Sequence, residues 1–140
     1  MKRITLFLAL VSVSFACMAQ SWNWINPTTG MQQINDISFV SSEERVAMGD
    51  YGTILHYQIG EWMVVESPVT TALNAVEFVS PNLAWAVGND GVILRYDGNN
   101  WIQTSSPTAG TLNDLCCVDE NHCWAVAASS LNTMAQAGNP

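Results

Sequence analysis

Apolar and polar residues follow one another in the same order three times along this chain. Residues 34–40 are matched at residues 73–79 and again at residues 112–118, so each copy begins 39 residues after the one before it. In the second copy the pattern predicts four short strands, at residues 73–79, 84–88, 92–96 and 101–104. The second and third of these strands lack polar alternation, which is typical of strands covered on both faces. No stretch has a convincing helical period.

A period near 40 residues, filled with short strands and turns, indicates an all-β fold made of β-propeller-type blades. Four antiparallel strands are expected in each blade of about 39 residues. The hairpin between the second and third strands is predicted at Asn89-Asp90-Gly91, because glycine adopts positive φ without steric cost. One such repeat cannot bury both of its faces alone, so the blades are expected to stack on one another.

The third copy starts like the other two but lacks a turn like Asp50-Tyr51-Gly52 or Asn89-Asp90-Gly91 and a final tryptophan. Residues 129–140 are therefore expected to supply no third strand. Because propellers typically have about four to eight complete blades, we expect an incomplete ring, an open arc, and a fragment of a longer propeller. The predicted organisation is a signal peptide (1–19), the last strand of a preceding blade (20–33), two blade repeats (34–72 and 73–111), a partial repeat (112–128) and a non-repeat tail (129–140).

The first residues have the layout of a secretory signal peptide. Lys2 and Arg3 precede an apolar stretch, and small residues up to Ala19 provide a cleavage site. The stretch is shorter than the roughly 18 to 20 apolar residues that span a bilayer as a helix. We therefore expect cleavage near Ala19 and export to the periplasm, the medium or the cell surface. Residues 14–17 also loosely resemble a lipoprotein box, so a lipid on Cys17 is the alternative.

Charge narrows the range of partners. All 12 acidic residues lie beyond residue 20, where Arg45 and Arg95 are the only arginines and no lysine occurs, and the whole chain carries a net charge of −8. Such a surface repels phosphate, which excludes nucleic acid as a partner. It equally disfavours attachment to an anionic membrane by charge.

The residues that define the repeat in the second copy are Leu73, Asn74, Val76, Phe78, Val79, Trp85, Ala86, Val87, Gly88, Gly91, Ile93, Leu94, Tyr96, Asp97, Gly98 and Trp101. This pattern resembles the repeats of secreted β-propellers related to the photosystem II assembly and stability factor. It is also similar to the wider set of Asp-box propellers, to which sialidases belong. The resemblance covers residues 22–126 and implies a propeller fold.

Two functions are weighed against each other. A non-catalytic binding or scaffold module is favoured, because blades present loops on a rigid support and no catalytic group is assembled. The alternative is a fragment of an extracellular glycan-active, sialidase-like enzyme. Sialidases hold their substrate with three arginines, whereas only Arg45 and Arg95 follow the signal peptide. We expect no cofactor, an unidentified protein or glycan partner, and self-association through uncovered blade faces.

Cys117 and Cys123 are the candidate disulfide. They align with Phe78 and Ala84 of the second copy, which places them across from each other on adjacent strands. In an exported chain such a pair usually oxidises, and members of the propeller group that this chain resembles often carry cysteines at this spacing. A zinc site using Cys116, Cys117, His122 and Cys123 stays open, as does a catalytic pair of Cys117 and His122. Cys116 is otherwise the odd thiol.

The remaining candidates are better explained by structure than by chemistry. His56 is expected at the rim of a blade. The acidic pairs Glu43-Glu44 and Asp119-Glu120 are expected in solvated turns rather than as an acid and a base. Turn formation is likewise preferred to calcium binding for Asp50, Asp90 and Asp97. Blade packing is expected for Trp62, Trp85, Trp101 and Trp124, which leaves Trp22 and Trp24 as candidates for an exposed aromatic contact.

Overall fold

Strands arranged in three antiparallel sheets make up the computed structural model, which describes residues 32–127 and 134–137. Sheet 1 contains β1 (Ile34–Phe39), β2 (Arg45–Gly49), β3 (Ile54–Gln58) and β4 (Glu61–Val65). Sheet 2 contains β5 (Leu73–Ser80), β6 (Leu83–Gly88), β7 (Ile93–Tyr96) and β8 (Trp101–Thr104). Sheet 3 contains β9 (Leu112–Asp119), β10 (His122–Ala127) and β11 (Met134–Ala137). Each sheet is a simple meander in which neighbours along the chain pair, and the described sheets do not close into a ring.

Tight hairpins join the second and third strands of sheets 1 and 2. Asp90 has φ 57° and ψ 26°, Gly91 has φ 69°, and the Val92 N–H donates to the Asn89 carbonyl. Positive φ at both central residues is the type I′ geometry that matches the twist of a hairpin. Tyr51 and Gly52 take the same conformation in sheet 1. The hairpin predicted at Asn89-Asp90-Gly91 is therefore confirmed.

The core lies between the sheets rather than on one side of them. Met48 and Ile54 of sheet 1 pack against the sheet 2 cluster that contains Leu94, Tyr96 and Trp101. A second cluster joins sheets 2 and 3 through Ala75, Val87, Leu112 and Ala125. Sheet 2 is thus covered on both faces. Accordingly β6 is buried along its whole length except at Trp85, which is half-buried, as the absence of polar alternation predicted.

The innermost strands β1, β5 and β9 are held together by side chains that bond to the next sheet. Asn35 Nδ2 donates to the Leu73 carbonyl at 3.0 Å, and 39 residues later Asn74 Nδ2 donates to the Leu112 carbonyl at 2.8 Å. Backbone N–H groups of β5 and β9 donate to Asp36, Ser38 and Glu77 of the preceding sheet. These bonds satisfy the edge groups that an inner strand would otherwise leave unpaired.

Sheet 3 differs from the prediction at its last strand. No third strand was expected after residue 128, but β11 pairs antiparallel with β10, with Ala135 opposite Ala125. Its sequence of Met, Ala, Gln and Ala lacks the β-branched and aromatic residues on which strand prediction depends. Pairing through the backbone does not require them.

Several predicted features lie outside the described residues: the signal peptide, the strand expected within residues 20–33, Cys17, Trp22 and Trp24. Within the described part of the chain, no helix has the length and apolar character needed to cross a membrane.

Candidate functional site

Four side chains form one line across the outer face of sheet 1. The strand register places Phe39 opposite Arg45, Arg45 opposite Tyr57, and Tyr57 opposite Trp62. Because each of these residues has the same orientation in the pleat, all four side chains stand on the same face. We call this set the Arg45 row.

The guanidinium of Arg45 lies on aromatic rings. Its central carbon is 3.8 Å from the Tyr57 ring centroid, 5.6 Å from that of Phe39 and 5.8 Å from that of Trp62. The Tyr57 and Trp62 rings meet edge to face at 5.3 Å. A cation over one aromatic face is worth about 0.5 to 2 kcal/mol, depending on its exposure to water. The row therefore holds one charged group in a defined orientation.

The charge of Arg45 is not neutralised by the described residues. All acidic side chains of the protein belong to that part of the chain, and none lies within ion-pair distance of Arg45. Its Nε atom is buried without a hydrogen-bond partner among these residues, and so is Nε1 of Trp62. Guanidinium groups bind carboxylates in a bidentate manner, so the row is suited to an acidic ligand group.

In sheets 2 and 3, the side chains equivalent to the Arg45 row face a neighbouring sheet. In sheet 2 the row is Phe78, Ala84, Tyr96 and Trp101, and Tyr96 and Trp101 are each only 7% exposed because sheet 1 covers them. In sheet 3 the corresponding pair is Cys117 and Cys123. By contrast, Phe39 of the Arg45 row is 55% exposed. The row of sheet 1 is thus exposed at Phe39, whereas Arg45, Tyr57 and Trp62 are half-buried.

Apolar residues extend the same face around the Arg45 row. Ile37 and Val64 are 41% and 75% exposed, whereas Ala47 and Leu55 at the centre of the face are buried. The accessible part is therefore its two margins, along β1 and along β4. We call this surface, with the Arg45 row, the open face of sheet 1.

The predicted disulfide is present. Cys117 and Cys123 are register partners on β9 and β10 and are bonded to each other. The bridge engages two of the four residues considered as zinc ligands. It also leaves Cys117 without the free thiol that a catalytic pair with His122 would need. Cys116 is the free cysteine of the described residues, exposed on the opposite face of sheet 3. Those residues contain no group of three or more potential metal ligands.

The other polar candidates are engaged in turns and local pairs. The Asp97 carboxylate accepts the backbone N–H groups of Asn99 and Asn100, and these bonds hold its pKa below the usual value. The pKa of Asp119 is lowered in the same way by the Asn121 N–H and by its contact with His122, whose Nδ1 lies 2.7 Å away. Turn formation therefore accounts for these aspartates.

His56 is part of a small polar contact behind the Arg45 row. Its Nε2 lies 3.3 Å from Glu44 Oε1, and the His56 ring meets the Tyr96 ring edge to face at 6.1 Å. The contact crosses from sheet 1 to sheet 2, so His56 lies in the packing between blades rather than at their rim. Glu43, which precedes Glu44, is exposed.

The two arginines do not form a common site. Arg95 on β7 is exposed and pairs with Trp85, on the face of sheet 2 that points toward sheet 3. Arg45 is on the open face of sheet 1, with both sheets between the two guanidinium groups. The arrangement therefore lacks the converging arginines that a sialidase uses for its substrate carboxylate.

A shallow groove of about 330 Å³ lies between sheets 1 and 2, at the end opposite the Arg45 row. Its lining residues are Ser67, Pro68, Val69, Thr70, Thr71, Val92 and Gln103. None of them is charged or nucleophilic enough to carry chemistry without an activating base.

The Arg45 row was not predicted from the sequence, although one signal pointed to it. Arg45 is aligned with Ala84 and Cys123, two positions at which the repeat carries small, buried residues. A charged residue at a packing position of a repeat is unusual because isolated charges are costly to bury. That substitution identifies sheet 1 as different from its neighbours.

No protein-family model matches the sequence, and a search of the curated proteins finds no significant match. Solved structures are similar in fold. YCF48 bound to D1 peptide aligns with a TM-score of 0.63 and 19% identity over 75% of this chain and 37% of that one. YCF48 from Cyanidioschyzon merolae aligns with a TM-score of 0.60 and 15% identity, over 74% of this chain and 38% of that one.

The WD40 beta propeller domain of Doa1 aligns similarly, with a TM-score of 0.56 and 16% identity over 75% of this chain and 38% of that one. The described sheets therefore have a β-propeller fold, in an unclosed arrangement. The aligned part covers well under half of each of these propellers.

Proposed function

We propose that this chain is an exported, non-catalytic propeller-type module that binds a protein segment on the open face of sheet 1. The observation that carries the proposal is the Arg45 row. A guanidinium stacked on Tyr57, with no carboxylate from the described residues, stands beside the exposed Phe39 at the margin of this face, while the equivalent row in sheet 2 is buried. The guanidinium is a charged donor, so a ligand carboxylate that reaches it is stabilised there.

The chemistry of the face defines the ligand class. Phe39, Ile37 and Val64 offer apolar contact beside a single positive charge. The matching segment is apolar, with one carboxylate from Asp, Glu or a chain end. A solved propeller of the same fold, YCF48, is described as bound to a peptide. That likeness concerns the fold, and it supports a protein ligand in preference to a glycan.

Export and the relation to a longer propeller are part of the same proposal. The Cys117–Cys123 bridge supports an oxidising compartment, because disulfides rarely persist in the cytosol. Trp22 and Trp24 remain candidates for an additional aromatic contact. The alternative, a piece of a glycan-active enzyme, is distinguished by reading the flanking DNA: in-phase repeats with further arginines favour the enzyme, and repeats alone favour the binder.

Selection of a phage-displayed random peptide library against the purified protein tests the binding site. We expect enriched peptides to be apolar with a carboxylate, and we expect the Arg45→Gln variant to lose them. The Arg45→Lys variant should recover little of the binding, because an ammonium keeps the charge but not the planar stacking. The Arg95→Gln variant is the matched control and should select the same peptides as the parent. Enrichment that is unchanged in Arg45→Gln would contradict the proposal.

A further inference from the structure

The outer edge of sheet 1 is unpaired in the described part of the chain. β4 is the last strand in the order of this sheet, with β3 on one side of it and no described strand on the other. A two-residue turn at residues 59–60, with φ 54° and 85°, joins β3 to β4, so Gln58 and Glu61 are the flanking pair. In the equivalent turn of sheet 2, the Asp97 N–H donates to the Asn100 carbonyl. The flanking pair is therefore a hydrogen-bonded one.

Every second residue of β4 directs its backbone polar groups away from the sheet. Hydrogen-bonded and non-hydrogen-bonded pairs alternate along an antiparallel ladder, so Met63 and Val65 bond to β3 as Glu61 does. The N–H and C=O groups of Trp62 and Val64 point the other way, and no backbone bond joins them to another described residue. Unpaired groups in a row of this kind are a template on which a further strand can form.

Exposed apolar side chains flank this edge on both faces. Val64 is 75% exposed on the open face of sheet 1, beside Trp62, and Met63 is 47% exposed on the opposite face. Ile59 in the adjoining turn is 96% exposed, at the position that Gly98 has in the second repeat. β4 contains neither proline nor lysine, the residues that commonly protect exposed edges. The edge is thus both accessible and apolar.

The other margins of sheets 1 and 2 differ from this edge. β8, the outer strand of sheet 2, begins with Trp101, which is 7% exposed beneath sheet 1, and carries Gln103 at the position that Val64 has in β4. β1, at the opposite margin of sheet 1, faces β5 and bonds to it through its side chains. Among these strands, β4 is therefore the one that combines a free edge with exposed apolar side chains on both faces.

We propose that the protein segment bound at the open face of sheet 1 is extended and adds to that sheet as a fifth strand, along β4. This inference rests on the proposed function and gives its mode of binding. Backbone groups of the segment bond to those of Trp62 and Val64, which is the general mode of strand addition to a sheet edge. Because the segment lies beside β4, it needs no access to Ala47 and Leu55, the buried centre of the face.

The register of such a strand places its carboxylate. Side chains opposite Trp62 and Val64 stand on the open face, and the one opposite Trp62 continues the Arg45 row. A glutamate at that position extends over the Trp62 ring toward the guanidinium of Arg45, whose central carbon is 5.8 Å from the ring centroid. The residue between the two faces the other side of the sheet, where Met63 offers apolar contact.

Amide hydrogen exchange followed by NMR tests this geometry. In the free protein, the amides of Trp62 and Val64 should exchange faster than that of Met63, which bonds to β3. A synthetic copy of a peptide enriched in the phage selection, at ten times its dissociation constant, should slow both amides about tenfold. The amides of Trp101 and Gln103, at the equivalent positions of β8, are the control and should not change. Protection that appears without peptide and rises with protein concentration would assign the edge to a second copy of this chain and overturn the inference.

A proline in β4 tests the same bonds. Val64→Pro should raise the dissociation constant of the peptide at least about tenfold, because it removes an N–H that faces the segment and not one that bonds to β3. Gln103→Pro, at the repeat-equivalent position of β8, is the matched control and should bind the peptide as the parent does. Unchanged binding by a folded Val64→Pro variant would overturn the added strand.

Methylation of the peptide backbone gives a test in which the protein is unchanged. In an added strand every second residue directs its N–H toward β4. One N-methyl group moved along the peptide should therefore weaken binding at least about tenfold at alternate residues and much less at the residues between them. Sensitivity without this alternation, or no sensitivity at all, would overturn the inference.

The inference and the proposed function fail separately. Peptides that are enriched in an Arg45-dependent manner, but show neither the alternation nor the protection of Trp62 and Val64, overturn the added strand and leave the binding site in place. Enrichment that is the same in the Arg45→Gln variant overturns the proposed function, and this inference with it.

Discussion

Tyr96 shows how strongly the repeat packing acts on a single residue. It is 7% exposed in the core between sheets 1 and 2, and its hydroxyl donates to the Gly98 carbonyl at 2.8 Å. Burial raises its pKa, and the carboxylates of Glu44 and Asp97 raise it further. The phenolate is therefore less stable in the folded protein than in the unfolded chain, which links the stability of the packing to pH.

We predict that this contribution to the free energy of unfolding is fully present below about pH 10 and is lost as the pH rises through the raised pKa of Tyr96. Urea unfolding at a series of alkaline pH values measures it. The Tyr96→Phe variant should be about 1 kcal/mol less stable near neutral pH, because the bond to Gly98 is lost. It should also show a smaller alkaline decline than the parent. An equal decline in both proteins would assign the effect to other groups.

At the scale of the strands, the hairpin of β9 and β10 is the element with a covalent constraint. The Cys117–Cys123 bond closes a loop with a sequence separation of 6. For so short a loop, the loss of loop-closure entropy in the unfolded chain stabilises the folded protein by at most about 2 kcal/mol. We predict that the double variant Cys117→Ala, Cys123→Ala is destabilised by no more than this amount in thermal unfolding.

The control for the bridge is its neighbour in sequence. Cys116→Ala should change the stability by less than about 0.5 kcal/mol, because this side chain is exposed on the other face of sheet 3. Non-reducing peptide mapping should recover Cys117 joined to Cys123. A peptide in which Cys116 is joined to Cys123 would contradict the register of β9 on β10.

Most strands of this fold were predictable from the repeats, because the same pattern of residues occurs three times along the chain. The predicted strands of sheet 2 agree with β5 to β8 within one residue at each end. β11 was missed because its own sequence has no strand pattern and its place is given by backbone pairing with β10. The Arg45 row was missed for another reason. The sequence shows an arginine in the first repeat at the position that Ala84 has in the second, but it does not show which faces of the sheets are exposed.

At the scale of the whole molecule, the acidity of the chain and its disulfide-bonded hairpin are both consistent with the proposed export. The net charge of −8 includes Lys2 and Arg3, which lie in the predicted signal peptide, so removal of residues 1–19 makes the product still more acidic. A strongly acidic surface favours solubility and disfavours adhesion to anionic membranes. The free thiol of Cys116 is then the oxidisable cysteine that the described fold leaves on its surface.

We predict that expression in a secreting bacterial host yields a product whose chain begins at Gln20. The intact mass should equal that of residues 20–140 less two hydrogen atoms for the Cys117–Cys123 bridge. Substituting Ala19 by a bulky residue such as Phe should impair or move the cleavage, because the site requires small side chains. A product that carries the mass of a diacylglycerol on Cys17 would contradict this prediction and support the lipoprotein alternative. A periplasmic product that retains residues 1–19 would contradict both, since neither processing step leaves that segment attached.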